Sequence, residues 1–337
     1  MSSLPTFADV QAAARRLDGV VVRTPLLENA RVNARLGGRL FVKAECLQRT
    51  GSFKIRGAYN FLASMSEADR RKGAVGWSSG NHAQGLAEAG RLLGVKTTIV
   101  MPADAPALKV ANTRASGAEV VLYDRVKESR EEIGLGIASR TGATVVPPYD
   151  HPWILTGQGT AGLELAEQAG ALGVALDAVA APCSGGGLST GVALGVKGVS
   201  PNTTVHAGEP AGFDDLARSL KSGRKETNAQ LSGSICDALL APTPGDVTFP
   251  LAQEVLGPGL VVTDDEVLDA MEVAFREFKL VVEPGGAVAL AAALTGRLPV
   301  EGRAVAVVCS GGNVDHATFI RALSRHALVD RERPARA

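Results

Sequence analysis

Two segments of the chain combine residue types that can do chemistry, and the first of them is rich in glycine. It spans residues 182–191 (PCSGGGLSTG) and joins an apolar run to a stretch with helical periodicity. Its consecutive glycines, Gly185, Gly186 and Gly187, leave no Cβ in the turn, so several backbone N–H groups can converge on one anion. The positive end of the following helix strengthens that attraction. Because the lysine–hydroxyl pair of a nucleoside-triphosphate loop is absent, the segment predicts a phosphate monoester site, with a tight turn that binds no ligand as the alternative.

The second segment places a lysine where a strand passes into a helix. Lys54 lies in TGSFKIRGA, residues 50–58, at the predicted start of that helix. The positive potential there disfavours the ammonium form and lowers the pKa of the lysine, and an unprotonated lysine can form a Schiff base or act as a base. Taken alone, Lys54 can be an ordinary surface lysine. A nucleophilic amine combined with a separate phosphate site is what pyridoxal phosphate requires.

The elements that must position these segments alternate along the chain. Apolar runs rich in β-branched residues predict strands, and stretches with helical periodicity follow them. Near-continuous apolar strands that alternate with helices are typical of parallel, doubly wound sheets in α/β proteins. The predicted strands are 39–43, 74–77, 97–101, 119–123, 178–181, 204–207, 260–263 and 304–309. The predicted helices are 53–64, 82–93, 108–116, 127–140, 159–169, 188–196, 265–278 and 287–294.

The length of the chain predicts two domains, since 337 residues compare with a usual size of about 150 residues per domain. The strand–helix units at 73–150 predict a small domain that carries a substrate loop. Residues 1–72 and 151–328 then form one large, discontinuous cofactor-binding domain, and the charged tail 329–337 is predicted to be flexible. Because ligands bind beyond the carboxyl ends of parallel strands, we expect the site in the cleft between the two domains.

Charge and composition exclude several other classes of protein. The chain has 35 basic and 35 acidic residues, so its net charge offers no attraction to nucleic acid or to a membrane surface. We find neither a signal peptide nor an apolar run that could span a bilayer, and the four cysteines form no close pair. We therefore expect a cytoplasmic protein with free thiols. Residues 157–162 match the dinucleotide pattern GxGxxG, but the turn-like residues 150–153 before them argue against an NAD site.

Four motifs, in the same order along the chain, resemble those of a known family. They are TGSFKIRGA at 50–58, SSGNHA at 78–83, SGGGL at 184–188 and SGGN at 310–313. Together they resemble the fold-type II pyridoxal-phosphate enzymes, in the branch of serine/threonine dehydratases (ammonia-lyases) and serine racemases. The resemblance spans nearly the whole chain. It implies two tryptophan synthase β-like domains with a cleft between them, and a homodimer.

The resemblance also implies which residues hold pyridoxal 5'-phosphate. Lys54 would carry the cofactor covalently, next to Phe53, and Asn81 would hydrogen-bond to the ring hydroxyl. Ser310 would face the pyridine nitrogen, where a neutral hydroxyl leaves the ring a weaker electron sink than a carboxylate would. The phosphate would bind to residues 184–188, which we call the phosphate loop: Ser184, Gly185, Gly186, Gly187 and Leu188.

The substrate is implied to be a small amino acid, bound by the loop that follows the strand at 74–77. Its carboxylate would contact Ser78, Ser79, Gly80, Asn81 and His82. Arg130 matches a position near the substrate in this branch, and an ordinary solvated arginine is the alternative.

A second loop, at 209–215, resembles a metal loop of the same branch. Glu209, the Phe213 carbonyl and Asp215 would supply oxygen ligands for Mg²⁺ or Ca²⁺. An acidic helix start is the alternative, because carboxylates are also favourable at that end of a helix dipole.

We therefore expect an enzyme that dehydrates and deaminates L-threonine or L-serine to a 2-oxo acid and ammonia, with Lys54 removing the α-proton. Three alternatives stay open. Ser79, on the opposite face of the substrate, would permit serine racemisation. Arg130 would favour 3-hydroxyaspartate by pairing with its second carboxylate, and the aromatic residues Tyr149 and Trp153 would favour phenylserine.

Overall fold

The computed structural model describes residues 4–105 and 107–325, and within these residues ten strands form two separate sheets. The strands are β1 Leu26–Glu28, β2 Arg39–Lys43, β3 Ala74–Trp77, β4 Thr97–Pro102, β5 Glu119–Tyr123, β6 Thr144–Val145, β7 Ala178–Pro182, β8 Thr204–Pro210, β9 Leu260–Val262 and β10 Ala304–Val308. The helices are α1 Phe7–Leu17, α2 Ala30–Leu36, α3 Lys54–Ser64, α4 Glu67–Lys72, α5 Asn81–Leu93, α6 Ala107–Ala115, α7 Arg130–Thr141, α8 Pro152–Ala171, α9 Gly187–Val199, α10 Asp215–Ser222, α11 Thr248–Val255, α12 Asp264–Phe278, α13 Pro284–Leu294 and α14 His316–Leu323.

The larger sheet has the strand order β1-β2-β10-β7-β8-β9, and only the pair β1 and β2 is antiparallel. Successive residues of its central strands serve opposite faces. In β10, Val305 and Val307 pack into the apolar cluster formed with α12 and α13, whereas Ala306 and Val308 pack into the cluster formed with α8 and α9. Helices on both faces explain why these strands are apolar throughout. The predicted doubly wound α/β class is confirmed.

The smaller sheet has the order β5-β4-β3-β6, and all its strands are parallel. Its four strands all lie between residues 73 and 150. Helix α3 precedes that range, yet Ile55 and Leu62 of α3 share an apolar cluster with Ile99 of β4. The boundaries of the two domains therefore stay a prediction, and the predicted tail 329–337 lies outside the described residues.

Two short strands, β1 and β6, are absent from our sequence-based expectations. β1 has three residues and β6 has two, which is too short for a hydrophobic period to show. Both form because a neighbouring strand pairs with them: β2 holds β1, and β3 holds β6.

Helix α8 begins at Pro152, well before the predicted start at residue 159. The chain bends at His151, but the expectation of a turn is wrong for Pro152 and Trp153, because the His151 ring caps the helix by accepting from the Trp153 N–H (3.1 Å) and proline fits the first helical position. The GxGxxG pattern thus lies inside a helix. A Cβ on Gly162 would come within 2.3 Å of the Val192 carbonyl oxygen, so glycine here permits close packing of α8 on α9.

A buried network of charged side chains fixes the first turn of α3. The Arg56 guanidinium makes two bonds to the Glu45 carboxylate (both 2.8 Å) and two to the Glu164 carboxylate (2.7 and 2.9 Å). Lys43, also buried, donates to Glu164 at 2.7 Å. Two cations therefore balance two anions, as a buried cluster requires. Arg56 lies two residues after Lys54, so the network connects the start of α3 to α8 and to the end of β2.

Candidate active site

Backbone hydrogen bonds bring the lysine motif and residues 310–313 together. The Phe53 N–H donates to the Ser310 carbonyl oxygen (3.1 Å), and the Gly312 N–H donates to the Gly51 carbonyl oxygen (2.9 Å). Both segments follow paired parallel strands, β2 and β10, so their carboxyl ends meet at one edge of the sheet. The structure thus brings Lys54 and the buried Ser310 to the same place from opposite ends of the chain.

Lys54 is the first residue of α3 and is half-buried. The Lys54 Nζ donates to the Pro148 carbonyl oxygen at 2.7 Å and lies 5.2 Å from the centroid of the Phe53 ring. Burial lowers the pKa of Lys54 to about 8, while the Glu283 carboxylate partly opposes that shift. The lowered pKa agrees with our expectation, but its main cause is desolvation rather than the helix terminus. Lys54 can therefore lose its proton close to neutral pH.

A buried carboxylate that the sequence analysis missed, Glu283, faces Asn81. The Asn81 side-chain N–H donates to Glu283 Oε1 (2.5 Å), and Asn81 Oδ1 accepts from the Asn313 side chain (2.7 Å). These bonds fix which way the Asn81 amide faces. Gly311 is required beside them, because a Cβ there would lie 2.1 Å from Glu283 Oε1. The available signal was EPGG at 283–286, an acidic residue and a proline at a helix start.

The loop after β3 carries the predicted substrate-binding residues into the first turn of α5. Ser78 Oγ accepts from the Gly80 N–H (3.1 Å), Ser79 is partly exposed, and no side chain caps α5. Backbone N–H groups of an uncapped helix start suit a carboxylate. Helix α5 approaches the backbone of Lys54 closely because residue 85 is glycine. A Cβ added at Gly85 would lie 3.0 Å from the Lys54 carbonyl carbon.

His82 lies in that first turn as a neutral imidazole. Its Nε2 is 3.1 Å from the Val146 carbonyl oxygen, and since a carbonyl only accepts, Nε2 carries the proton. Burial, together with the positive charge of Lys54, lowers the pKa of His82 to about 3. His82 therefore adds no charge to the site at neutral pH.

The three glycines of the phosphate loop lie where there is no room for a side chain. Gly186 caps α9 with a φ of +94°, a conformation that favours glycine. A Cβ on Gly185 would lie 2.1 Å from the Tyr149 ring, and one on Gly187 would lie 2.9 Å from the Tyr149 Cβ. No side chain caps α9, so the N–H groups of its first turn are available to an anion. Ser184 is partly exposed at the mouth of the loop, and Leu188 is buried behind it.

Arg130 is the first residue of α7 and is exposed. Burial raises the pKa of the Tyr149 phenol, and, to a smaller extent, the positive charge of Arg130 opposes that rise. Trp153 instead packs against Phe61 and His151, with ring centroids 5.4 and 5.1 Å away.

Glu209 and Asp215, the predicted metal ligands, are both buried at the carboxyl end of β8. Glu209 accepts from the backbone N–H groups of Leu216 (3.0 Å) and Ala217 (2.7 Å), which caps α10. Asp215 Oδ1 accepts from Asn228 (2.6 Å), but its Oδ2 is buried with no hydrogen-bond partner. Burial raises the pKa of Glu209, and the Asp215 charge adds to that rise. Across 4–105 and 107–325 no cluster of three or more His, Cys, Asp or Glu side chains could hold a metal, so the predicted set depends on a backbone carbonyl.

Comparison with known proteins identifies the family. The model of the family described as pyridoxal-phosphate dependent enzyme matches residues 17–311. The chain therefore belongs to the pyridoxal-phosphate dependent enzymes, which confirms the family, the fold type and the enzymatic class that the motifs predicted.

Three relatives are similar over nearly their whole length. L-threo-3-hydroxyaspartate ammonia-lyase from Pseudomonas sp is 44% identical over 312 residues, which cover 93% of this chain and 96% of that protein. Serine racemase from Schizosaccharomyces pombe is 38% identical over 322 residues, which cover 96% and 98%. The crystal structure of threonine deaminase from T.th. superposes with a TM-score of 0.86 at 44% identity, covering 92% of this chain and 99% of that one.

The residues present fit pyridoxal phosphate. The cofactor needs an amine that can lose its proton, which Lys54 supplies, and a cradle of N–H groups without side chains, which the phosphate loop supplies. The two are close, since Pro148 accepts from the Lys54 amine and the next residue, Tyr149, packs on Gly185.

Proposed function

We propose that the protein is a pyridoxal-phosphate-dependent ammonia-lyase that converts a β-hydroxy amino acid into a 2-oxo acid and ammonia. The observation that carries this proposal is the position of the Lys54 amine, whose pKa is about 8. It donates to the carbonyl oxygen of Pro148, the residue before Tyr149, whose ring packs on the phosphate loop. The similarity to two ammonia-lyases, for 3-hydroxyaspartate and threonine, supports the reaction type.

In the proposed site the N–H groups of the phosphate loop would hold the cofactor phosphate, and Lys54 would hold the cofactor through its side-chain amine. The Asn81 amide would hydrogen-bond to the ring hydroxyl, and the Ser310 hydroxyl would contact the pyridine nitrogen. When bound, pyridoxal phosphate withdraws electrons from the substrate Cα and stabilises the negative charge that develops there. Every other contribution comes from the side chains and backbone of this chain.

The substrate carboxylate binds at the start of α5, to N–H groups and to the hydroxyls of Ser78 and Ser79. Once the substrate has released it from the cofactor, the Lys54 Nζ accepts the proton from the substrate Cα and passes it to the β-hydroxyl, which leaves as water. The enamine released from the enzyme tautomerises and takes up one water, which yields the 2-oxo acid and ammonia. Because His82 is neutral, its imidazole contributes no positive charge to the binding of the substrate carboxylate.

Arg130 gives a reason to extend the substrate class to 3-hydroxyaspartate. It is the first residue of α7, is exposed, carries no ion pair within the described residues, and its positive charge acts on the Tyr149 phenol. An arginine pairs well with a second carboxylate. We therefore propose L-threo-3-hydroxyaspartate beside L-threonine and L-serine. Phenylserine is less favoured, because Trp153 packs against Phe61 and His151.

The central test is chemical trapping. Borohydride reduction of the holoenzyme followed by peptide mass mapping should place the cofactor on Lys54, and Lys54→Ala should lose both the label and the visible absorbance of the protein. A label on another lysine, or deamination by Lys54→Ala at the wild-type rate, would refute the assignment.

A substrate panel then decides the side chain. The wild type and Arg130→Ala are compared on L-serine, L-threonine, L-threo-3-hydroxyaspartate and phenylserine, scored by 2-oxo acid release. Arg130→Ala should lose activity selectively on 3-hydroxyaspartate, through KM. D-Serine formation from L-serine is measured in parallel; if it outpaces pyruvate formation, the serine racemase alternative, in which Ser79 acts on the opposite face, replaces the lyase.

We further propose that Mg²⁺ or Ca²⁺ binds to Glu209, the Phe213 carbonyl and Asp215. The support is the buried, unpartnered Asp215 Oδ2, since hard carboxylate oxygens are the ligands these cations prefer. Calcium should raise the melting temperature of the wild type and EDTA should reverse it, whereas Asp215→Asn should not respond. Asp214→Asn, one residue away, is the matched control and should respond like the wild type.

A homodimer in the cytoplasm completes the proposal. Phe275 and Ile320 are exposed apolar side chains, and the Phe275 ring packs on Phe319, the residue before Ile320, with ring centroids 5.6 Å apart. Association with a second copy would remove both side chains from water. Light scattering should show a dimer that Ile320→Asp weakens.

The proposed location is the cytoplasm. All four cysteines are free and buried, as in a reducing compartment. No helix in the described residues combines the length and the hydropathy needed to cross a membrane; cell fractionation tests the location.

A further inference from the structure

Asp150 is a carboxylate outside the recognised motifs, and it binds a single loop with both of its oxygens. Its Oδ1 accepts from the backbone N–H groups of Val247 (2.9 Å) and Thr248 (3.0 Å) and from the Thr248 hydroxyl (3.0 Å). Its Oδ2 accepts from the Asp246 N–H at 2.8 Å. Four hydrogen bonds to one carboxylate hold this loop at the start of α11.

That same loop, residues 245–248, supports the phosphate loop from one side. The Gly245 N–H donates to the Gly185 carbonyl oxygen (3.2 Å). The Thr248 methyl group occupies the space beside Gly186, where a Cβ would lie only 2.4 Å from it. Because the Thr248 hydroxyl bonds to Asp150, the carboxylate also sets the rotamer that presses this methyl group on the phosphate loop.

The phosphate loop is packed on its other side by Tyr149, the residue that precedes Asp150. The Tyr149 ring covers Gly185, and its backbone covers Gly187. The phosphate loop thus lies between residue 149 on one side and residues 245–248 on the other. Asp150 follows Tyr149 in the chain and hydrogen-bonds to residues 246–248, so it links the two sides directly. Gly245 leaves no space between them, since a Cβ there would lie 2.1 Å from Asp150 Oδ1.

We propose that Asp150 is a positioning residue for the cofactor phosphate. By linking residues 245–248 to residue 149, Asp150 keeps the N–H groups of the phosphate loop directed at one anion. This inference rests on the proposed function. Asp150 acts through the phosphate loop, so its contribution exists only for a ligand that carries a phosphate. Pyridoxal has the same ring and aldehyde without the phosphate, and it therefore separates this role from a general structural one.

The experiment measures the dissociation constants of pyridoxal phosphate and of pyridoxal for the full-length apoprotein, by visible absorbance and tryptophan fluorescence. Asp150→Ala should weaken pyridoxal phosphate about ten-fold or more, as expected for the loss of charge-assisted hydrogen bonds, and change pyridoxal by less than about two-fold. Asp150→Asn keeps the acceptor at Oδ1 and should lose less. The matched control is Asp246→Ala, since the exposed Asp246 side chain pairs with Lys225 and its backbone N–H is retained.

An unchanged affinity of Asp150→Ala for pyridoxal phosphate would overturn the inference, and so would an equal loss for both ligands. If Asp150→Ala does not fold, Asp150→Asn decides by the same ratio, with its fold checked by circular dichroism. A wild type that binds no pyridoxal phosphate at Lys54 would refute the proposed function as well, whereas normal wild-type binding with an insensitive Asp150 would refute this inference alone.

Discussion

The buried network around Arg56 makes a quantitative prediction about stability. Replacing Arg56 with methionine keeps the volume of the side chain but leaves Glu45 and Glu164, which share four hydrogen bonds with the guanidinium, with Lys43 as their remaining cation. Removing one partner of a buried ion pair costs about 3 to 5 kcal/mol. We expect Arg56→Met to lose that much of the free energy of unfolding.

The matched control for Arg56→Met is Arg23→Met. Arg23 also pairs with a glutamate of α8, Glu167, at 2.8 Å, but its side chain is 54% exposed, and exposed pairs are worth about 0 to 1 kcal/mol. Urea denaturation of both apoproteins gives the two losses. If Arg56→Met lost no more than Arg23→Met, the reasoning from burial would be refuted.

The pH dependence of this difference is a second check on the same variant. Burial pushes the pKa of Glu45 up, but the Arg56 guanidinium brings it below its ordinary value. In the wild type the folded pKa is therefore the lower one, so Glu45 contributes stability above its unfolded pKa and loses it as the pH falls. In Arg56→Met we expect burial to raise the pKa of Glu45, so the variant folds more readily when Glu45 is protonated. The gap between the wild type and Arg56→Met should narrow from about pH 8 to about pH 5.

Three further predictions concern the site. Gly185→Ala drives a Cβ into the Tyr149 ring (2.1 Å) and should weaken pyridoxal phosphate binding about ten-fold or more, whereas Gly170→Ala, with open space around it, should bind normally and be as stable or slightly more so; equal affinities would contradict the packing. Gly311→Ala places a Cβ 2.1 Å from Glu283 Oε1 and should lower stability by about 1 to 3 kcal/mol, measured by urea denaturation. The rate at which the apoprotein takes up pyridoxal phosphate should rise with pH around the Lys54 pKa of about 8, and His82→Gln should leave that midpoint in place because His82, with a pKa of about 3, is already neutral; a shifted midpoint would show that His82 carries charge.

Much of the fold was predictable because its strands are buried on both faces. The runs at 39–43 and 74–77 read as strands with the bounds that the structure has, since a strand covered by helices is apolar along nearly its whole length. The start of α8 was not predictable in this way. Gly157 lies before the predicted helix start at residue 159, and its close contact with α3 is visible only in the structure.

The residues of the candidate site also differ in how far the sequence could predict their roles. The residue types around Lys54 and in the phosphate loop indicated their chemistry, because a glycine-rich turn and a lysine at a helix start together suit pyridoxal phosphate. The role of the loop at 78–82 was implied by the resemblance to the family. Glu283 and Asp150 carried no comparable signal. Each is an acidic residue beside a proline or a histidine, and each matters only through groups that lie far away in sequence, such as Asn81 for Glu283 and Thr248 for Asp150.

The amino-acid sequence by itself determined the class of sheet, the family and the cofactor chemistry, because these depend on local patterns: apolar runs, consecutive glycines and a lysine at a helix start. The tertiary structure decided which groups set the behaviour of those residues. Desolvation lowers the pKa of Lys54, a buried network holds the helix it begins, and a carboxylate from the neighbouring segment holds the loop behind the phosphate loop. Burial and through-space contact are properties of the packed chain, so no reading of neighbouring residues along the sequence contains them.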